Sequence, residues 1–134
     1  MFSLAFSFFN LFSSLTQLCL IAKKDKINII VENHGGLSSN AKFLSSVMKN
    51  VNLDNCGTLP DFGNFCIEKI DPENYFSRCI NEYDKYQGMR ELMPYAKAVS
   101  AKSYDFDSNG EESTIDFKKI QGVQWAPYPH DPAC

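Results

Sequence analysis

Ile27-Asn28-Ile29-Ile30-Val31-Glu32-Asn33-His34-Gly35-Gly36, followed by Leu37-Ser38-Ser39-Asn40, is the stretch whose reading decides the fold. Ile27, Ile29, Ile30 and Val31 form a short β-branched run, and Asn33 with the two glycines stops it. A run of that kind, apolar at consecutive positions, describes a strand buried on both faces, as in a parallel sheet. The serines and Asn40 then offer caps to a helix carrying Phe43, Leu44, Val47, Met48 and Val51 at helical spacing. Strand, polar turn, amphipathic helix: this is the signature of a βα unit.

Outward from it the alternation continues. Upstream, Leu15, Leu18, Cys19 and Ala22 share one face of a helix expected over 14–26. Downstream, Cys56 to Phe65 reads as a second strand with Pro60 and Gly63 near its end. Asp71-Pro72-Glu73 offers a cap, a first-turn proline and a first-turn acid to a helix burying Tyr75, Phe76, Cys79, Ile80 and Tyr83. A further helical piece runs to about Met93, interrupted by Gly88 and closed by Pro94. Ala98 to Tyr104 reads as a third strand, the polar run Asp105 to Ser113 as a turn, and Ile115 to Ile120 as the opening of another helix. Helices alternating with strands imply parallel strands with crossover helices, an α/β fold. Residues 1–13 form an unassigned apolar N-terminal segment, 14–120 the folded unit, and 121–134 an irregular proline-rich tail.

Composition excludes more than it selects. The 134 residues suit one domain; 44% are hydrophobic and 22% charged, which allows an ordinary core. The net charge is -3 and the cations are scattered, so nothing provides the clustered charge that nucleic acid requires. Five cysteines without CxxC spacing indicate neither a zinc knuckle nor a complete disulfide framework, and read as free, mostly buried thiols in a reducing compartment. No Asn-x-Ser/Thr acceptor occurs. The placement expected is cytoplasmic, with no membrane partner. Its alternative is export through an atypical N-terminal signal, because residues 1–22 carry no charge but also no basic start.

In parallel α/β folds reactive groups gather at the carboxyl ends of strands. The first expected strand ends in Glu32, Asn33 and His34, the second in Asp61 and Asn64, and the third in Lys102, Ser103, Tyr104 and Asp105. Two carboxylates and an imidazole at one rim suit a hard or borderline divalent cation, Mg, Mn, Co or Zn. The plainer alternative is that the carboxylates cap the following helices and His34 is a turn residue. Asp105-Phe106-Asp107-Ser108-Asn109-Gly110, with Asp116 twelfth, imitates a calcium loop. Glu112 stands at the eighth position, where an apolar residue is usual, and a strand rather than a helix leads in, so an exposed turn is the better reading.

Three segments carry a resemblance. Val31 to Ser39, Leu59-Pro60-Asp61-Phe62-Gly63-Asn64-Phe65, and Leu92 to Lys97 through Ser100-Ala101-Lys102-Ser103-Tyr104-Asp105-Phe106-Asp107 together resemble a subgroup of the sugar-phosphate isomerase/epimerase family. That resemblance implies a xylose-isomerase-like TIM barrel present as roughly its fifth to seventh βα units, without the first four strands or the eighth-strand glutamate. It implies metal-assisted proton transfer on a sugar or sugar phosphate, with Glu32 and Asp61 as metal ligands and Glu32 also as acid/base. Lys102 falls where many relatives place a histidine ligand. A protonated amine cannot coordinate, so Lys102 is assigned to catalysis and to substrate oxygens, with His34 and Asn64 as further substrate contacts. A half-barrel would expose strand edges and so imply self-association or a complementing chain. The alternatives are a non-catalytic binding or assembly module and, through fold alone, an endonuclease-IV-like hydrolase.

Overall fold

The computed structural model describes residues 4–74 and 76–122. Helix α1 (Leu4–Lys23) leads through a turn into β1 (Ile29–Glu32); after it come α2 (Ala41–Val51), β2 (Cys56–Leu59), β3 (Cys66–Lys69), β4 (Cys79–Glu82), α3 (Lys85–Leu92) and α4 (Phe117–Gln121). Single turns of 3₁₀ helix precede α2 (Gly36–Ser39) and follow α3 (Met93–Tyr95).

The βα unit that opened the sequence analysis is present. Asn40 accepts the Phe43 N–H at 3.0 Å, which fixes the start of α2. Asn52 ends it in the left-handed conformation at φ 45°. Between these caps Ala41, Phe43, Leu44, Val47, Met48 and Val51 are buried, and α2 packs between α1 and α3. β1 and β2 pair in parallel, Ile29 with Cys56 through Glu32 with Leu59. Helix α1 starts ten residues earlier than expected, at Leu4. Its inner face holds Leu15 and Cys19, while Leu18 lies outside.

The barrel expectation is overturned. Among the described residues the strands form two separate two-stranded sheets, β1–β2 parallel and β3–β4 antiparallel. A barrel requires every strand to have two neighbours in one staggered ladder. Here β1 has β2 on one side alone. β3 and β4 form a hairpin, Cys66 opposite Glu82 and Lys69 opposite Cys79, that joins neither β1 nor β2. The helix expected after Asp71 is therefore a loop and the strand β4. A disulfide between Cys66 and Cys79 clasps that hairpin, which corrects the expectation of free thiols throughout; Cys19 and Cys56 are free.

The expected third strand is also absent as a ladder. Residues 96–100 run parallel to β2 through isolated bridges, Thr58 with Ala96 and Asp61 with Ser100. Three hydrogen bonds hold them: Lys97 N to the Thr58 carbonyl, Ser100 N to the Pro60 carbonyl and Phe62 N to the Ser100 carbonyl. Gly88, read as an interruption, lies inside α3. The Phe65 ring fills the space where a Cβ would stand, so the glycine is a packing requirement. Of the proline-rich tail, residues 123–134 lie outside the described residues. No helix among the described residues is long and apolar enough to cross a membrane.

Candidate functional site at the β1–β2 rim

The rim is assembled by an asparagine. Asn33, the first residue after β1, is fully buried, 0% exposed. Its side chain donates from Nδ2 to the carbonyls of Asp61 and Asn64, each at 3.0 Å, and accepts the Asp61 N–H on Oδ1 at 2.7 Å. A buried amide with all these bonds made is strongly held, and this one ties the ends of β1 and β2 to each other. The Ser39 hydroxyl adds a second tie, donating to the Asn64 carbonyl at 2.6 Å. The turn between is closed by Ser38 and Ser39, which accept the N–H groups of His34 and Gly35 at 2.9 Å. Gly35 and Gly36 take φ of 94° and 59°, backbone that favours glycine, and this lets the chain double back from the strand into α2.

On this base four side chains form a continuous polar row. Glu32 Oε2 lies 3.3 Å from His34 Nδ1, with the two side chains 33% and 56% exposed. Asn64 Nδ2 lies 3.1 Å from the same Nδ1. The Lys102 ammonium donates to Asn64 Oδ1 at 2.8 Å and stands 5.7 Å from the centre of the Tyr104 ring. Tyr104 covers Gly63, where a Cβ would collide with its ring. The structure thus brings Glu32, His34, Asn64 and Lys102 together in one accessible row.

Asp61 is placed differently. It is buried, 1% exposed, and both its carboxylate oxygens are engaged by protein donors. Oδ1 accepts the N–H groups of Gly63 and Asn64, each at 2.9 Å, and Oδ2 accepts the Ser100 hydroxyl at 2.6 Å. It holds residues 61–64 and the 96–100 segment in place beneath the row. A resident divalent ion does not fit this donor set as arranged. Both Asp61 oxygens are taken by protein donors, and among the described residues no three His, Cys, Asp or Glu side chains converge to hold a metal.

Sequence reading placed Asn33 at the end of the first strand and Ser100 inside the expected third, and gave neither a role; their work is to position other residues. Place along a strand does not distinguish an anchor from a ligand. Comparisons of the chain with models of known families and with curated proteins return no match.

Proposed function

We propose that the rim is an acid–base site for a small polyhydroxylated carbonyl compound, a sugar or sugar phosphate, on which it moves a proton between neighbouring carbons in the manner of an isomerase or epimerase. The observation that carries the reading is the unbroken row Glu32–His34–Asn64–Lys102, with contacts of 3.3, 3.1 and 2.8 Å. Resemblance of the sequence to sugar-phosphate isomerases and epimerases supports it.

The chemistry follows from the groups. Removing a proton beside a carbonyl leaves an enediolate, whose oxygens carry the developing charge. An ammonium and an amide fixed beside those oxygens stabilise them, and loss of one such donor typically costs about 10²–10³ in rate. A carboxylate and an imidazole in contact supply a base and an acid, a contribution of about 10²–10⁴. In this arrangement Glu32 and His34 move the proton, while Lys102 and Asn64 hold the substrate oxygens. The serine-rich turn lies beside them.

The test is solvent exchange. In D₂O, a panel of aldoses, ketoses and their phosphates should acquire deuterium at the carbon next to the carbonyl. Glu32→Gln and Lys102→Met should each slow that exchange by about 10²-fold or more. Saturable binding with no exchange anywhere in the panel would sink the catalytic reading and leave a binding module. A parallel titration with Mn²⁺ or Co²⁺ covers metal assistance. Tight binding abolished in both Glu32→Ala and Asp61→Ala would show that Asp61 releases Ser100 to take an ion.

The Cys66–Cys79 bond bears on where this takes place. Disulfides persist in oxidising compartments, so of the two placements considered from the sequence it supports export over the cytoplasm.

A further inference from the structure

We propose that Asn64 is a positioning residue that sets the tautomer of His34, and that Lys102 controls which way Asn64 faces. The argument is one of donors and acceptors. An ammonium has three donors and no acceptor, so the group 2.8 Å from Lys102 Nζ must be the amide oxygen of Asn64. The amide nitrogen therefore faces His34 Nδ1, at 3.1 Å. An NH₂ group only donates, so Nδ1 must accept, and the proton of the neutral ring sits on Nε2. Glu32 Oε2, 3.3 Å from the same nitrogen, makes the opposite demand, because a carboxylate accepts and calls for Nδ1–H. Both demands cannot be met together. The orientation of the Asn64 amide decides between them.

Asn64 is built for that role. Its N–H is held by Asp61 Oδ1 at 2.9 Å, and its carbonyl accepts from Asn33 and Ser39 at 3.0 and 2.6 Å. With the backbone clamped on both sides, rotation of the side-chain amide is the freedom left. A ligand oxyanion that draws the Lys102 ammonium away removes what holds the amide oxygen outward. The amide then turns over and presents Oδ1 to His34. Nδ1 takes a proton from solvent as Nε2 returns one, so the net charge is unchanged, and Nδ1–H is held by Glu32 and Asn64 together. Nε2 is left bare and basic. This is the arrangement in which a carboxylate orients an imidazole as a general base. His34 would thus become a base at Nε2 when Lys102 is engaged by an anionic oxygen, as in an enediolate or a phosphate ester.

The inference rests on the acid–base reading for its use, but its test reads protons instead of turnover. The experiment is ¹⁵N imidazole NMR on the full chain at about pH 8, where the chemical shifts of the two ring nitrogens report which of them carries the proton. The signals of the two histidines are separated with the His130→Ala variant. In the wild-type protein His34 should carry its proton on Nε2. Lys102→Met should swing the tautomer ratio toward Nδ1–H by roughly tenfold, the effect of one exchanged hydrogen bond. Asn64→Asp, which can only accept, should give Nδ1–H with Lys102 still present. A wild-type ring already protonated at Nδ1 overturns the proposal without any variant. So does an unchanged ratio in folded Lys102→Met or Asn64→Asp. Absence of sugar exchange alongside the expected tautomers would remove the acid–base reading and leave the Asn64 relay standing.

Discussion

The β1–α2–β2 unit and the β3–β4 hairpin adjoin along the chain, yet different forces hold them. The first is a burial structure: six side chains of α2 are inside, and Asn40 and Asn52 close its ends locally. The second buries little. Ile70, Phe76 and Ile80 are exposed, and a covalent bond joins strands whose cysteines are 13 residues apart. The first was legible because its determinants are local and periodic. The second was not, because a cross-strand partner 13 residues away leaves no period to read. The misreading at Asp71 shows why. Its capping chemistry is real, since Asp71 Oδ1 accepts the Glu73 N–H at 3.1 Å and Ser77 Oγ accepts the Asp71 N–H at 2.9 Å. Those bonds close a turn in the hairpin loop, and caps do not tell a turn from a helix start.

The seam between the two regions is the place to break the comparison most strongly. Phe65 is fully buried, its ring lies against Gly88 of α3, and its carbonyl accepts the Tyr83 N–H at 2.9 Å. Phe65→Ala should cost about 3–5 kcal/mol in denaturant unfolding, as truncation of a core aromatic does. A loss below about 1 kcal/mol would mean that the hairpin hangs free of the core.

Removing the disulfide separates the regions instead of destroying both. Cys66→Ser with Cys79→Ser should cost about 3 kcal/mol, the chain-entropy value for a loop of this size. Amide exchange should quicken in β3, β4 and residues 70–78 while α2 keeps its protection. Uniform loss of protection would show that the two regions unfold as one.

Smaller again is the effect at the joint with the rim. Asn33→Ala should cost about 1–3 kcal/mol, because the Asp61 N–H and two carbonyls lose buried partners. It should also disturb the Asn64 and His34 resonances before those of α2. The candidate site was half legible in this sense. Strand ends named Glu32, His34, Asn64 and Lys102, which the fold does bring into one row. Asp61 was named in the same way, by its strand end and by the resemblance, but its neighbours Gly63, Asn64 and Ser100, which engage both its oxygens, could be found only from the folded backbone.

The smallest effect concerns a third kind of region, the turn over 104–114, whose side chains are largely exposed and which no disulfide ties down; Ile115, just after it, is buried. Its centre is Glu112, the residue that spoils the calcium-loop pattern. Its carboxylate accepts the N–H groups of Tyr104, Asp105, Thr114 and Ile115 and the Thr114 hydroxyl. Desolvation acts to raise its pKa, and these hydrogen bonds outweigh it, holding the group at about 2 against an ordinary 4.5. A carboxylate whose folded pKa is depressed contributes its stabilisation in full above the unfolded value and loses it as pH falls through the folded one. The turn should therefore be intact above about pH 4.5 and come apart progressively toward pH 2. Amide shifts of Thr114 and Ile115 should follow that titration while those of α2 stay still. In Glu112→Gln the turn should already be loosened at neutral pH, since a carboxamide is a weaker acceptor for five donors than a carboxylate. A midpoint near 4.5 in the wild-type protein would mean that the ring of amides does not hold the charge. Asp105-Phe106-Asp107 would then be ordered by its other bonds: the Ser113 N–H to the Asp105 carbonyl, the Asp107 N–H to the Glu111 carbonyl, and the N–H groups of Asn109 and Glu111 to Asp107 Oδ1.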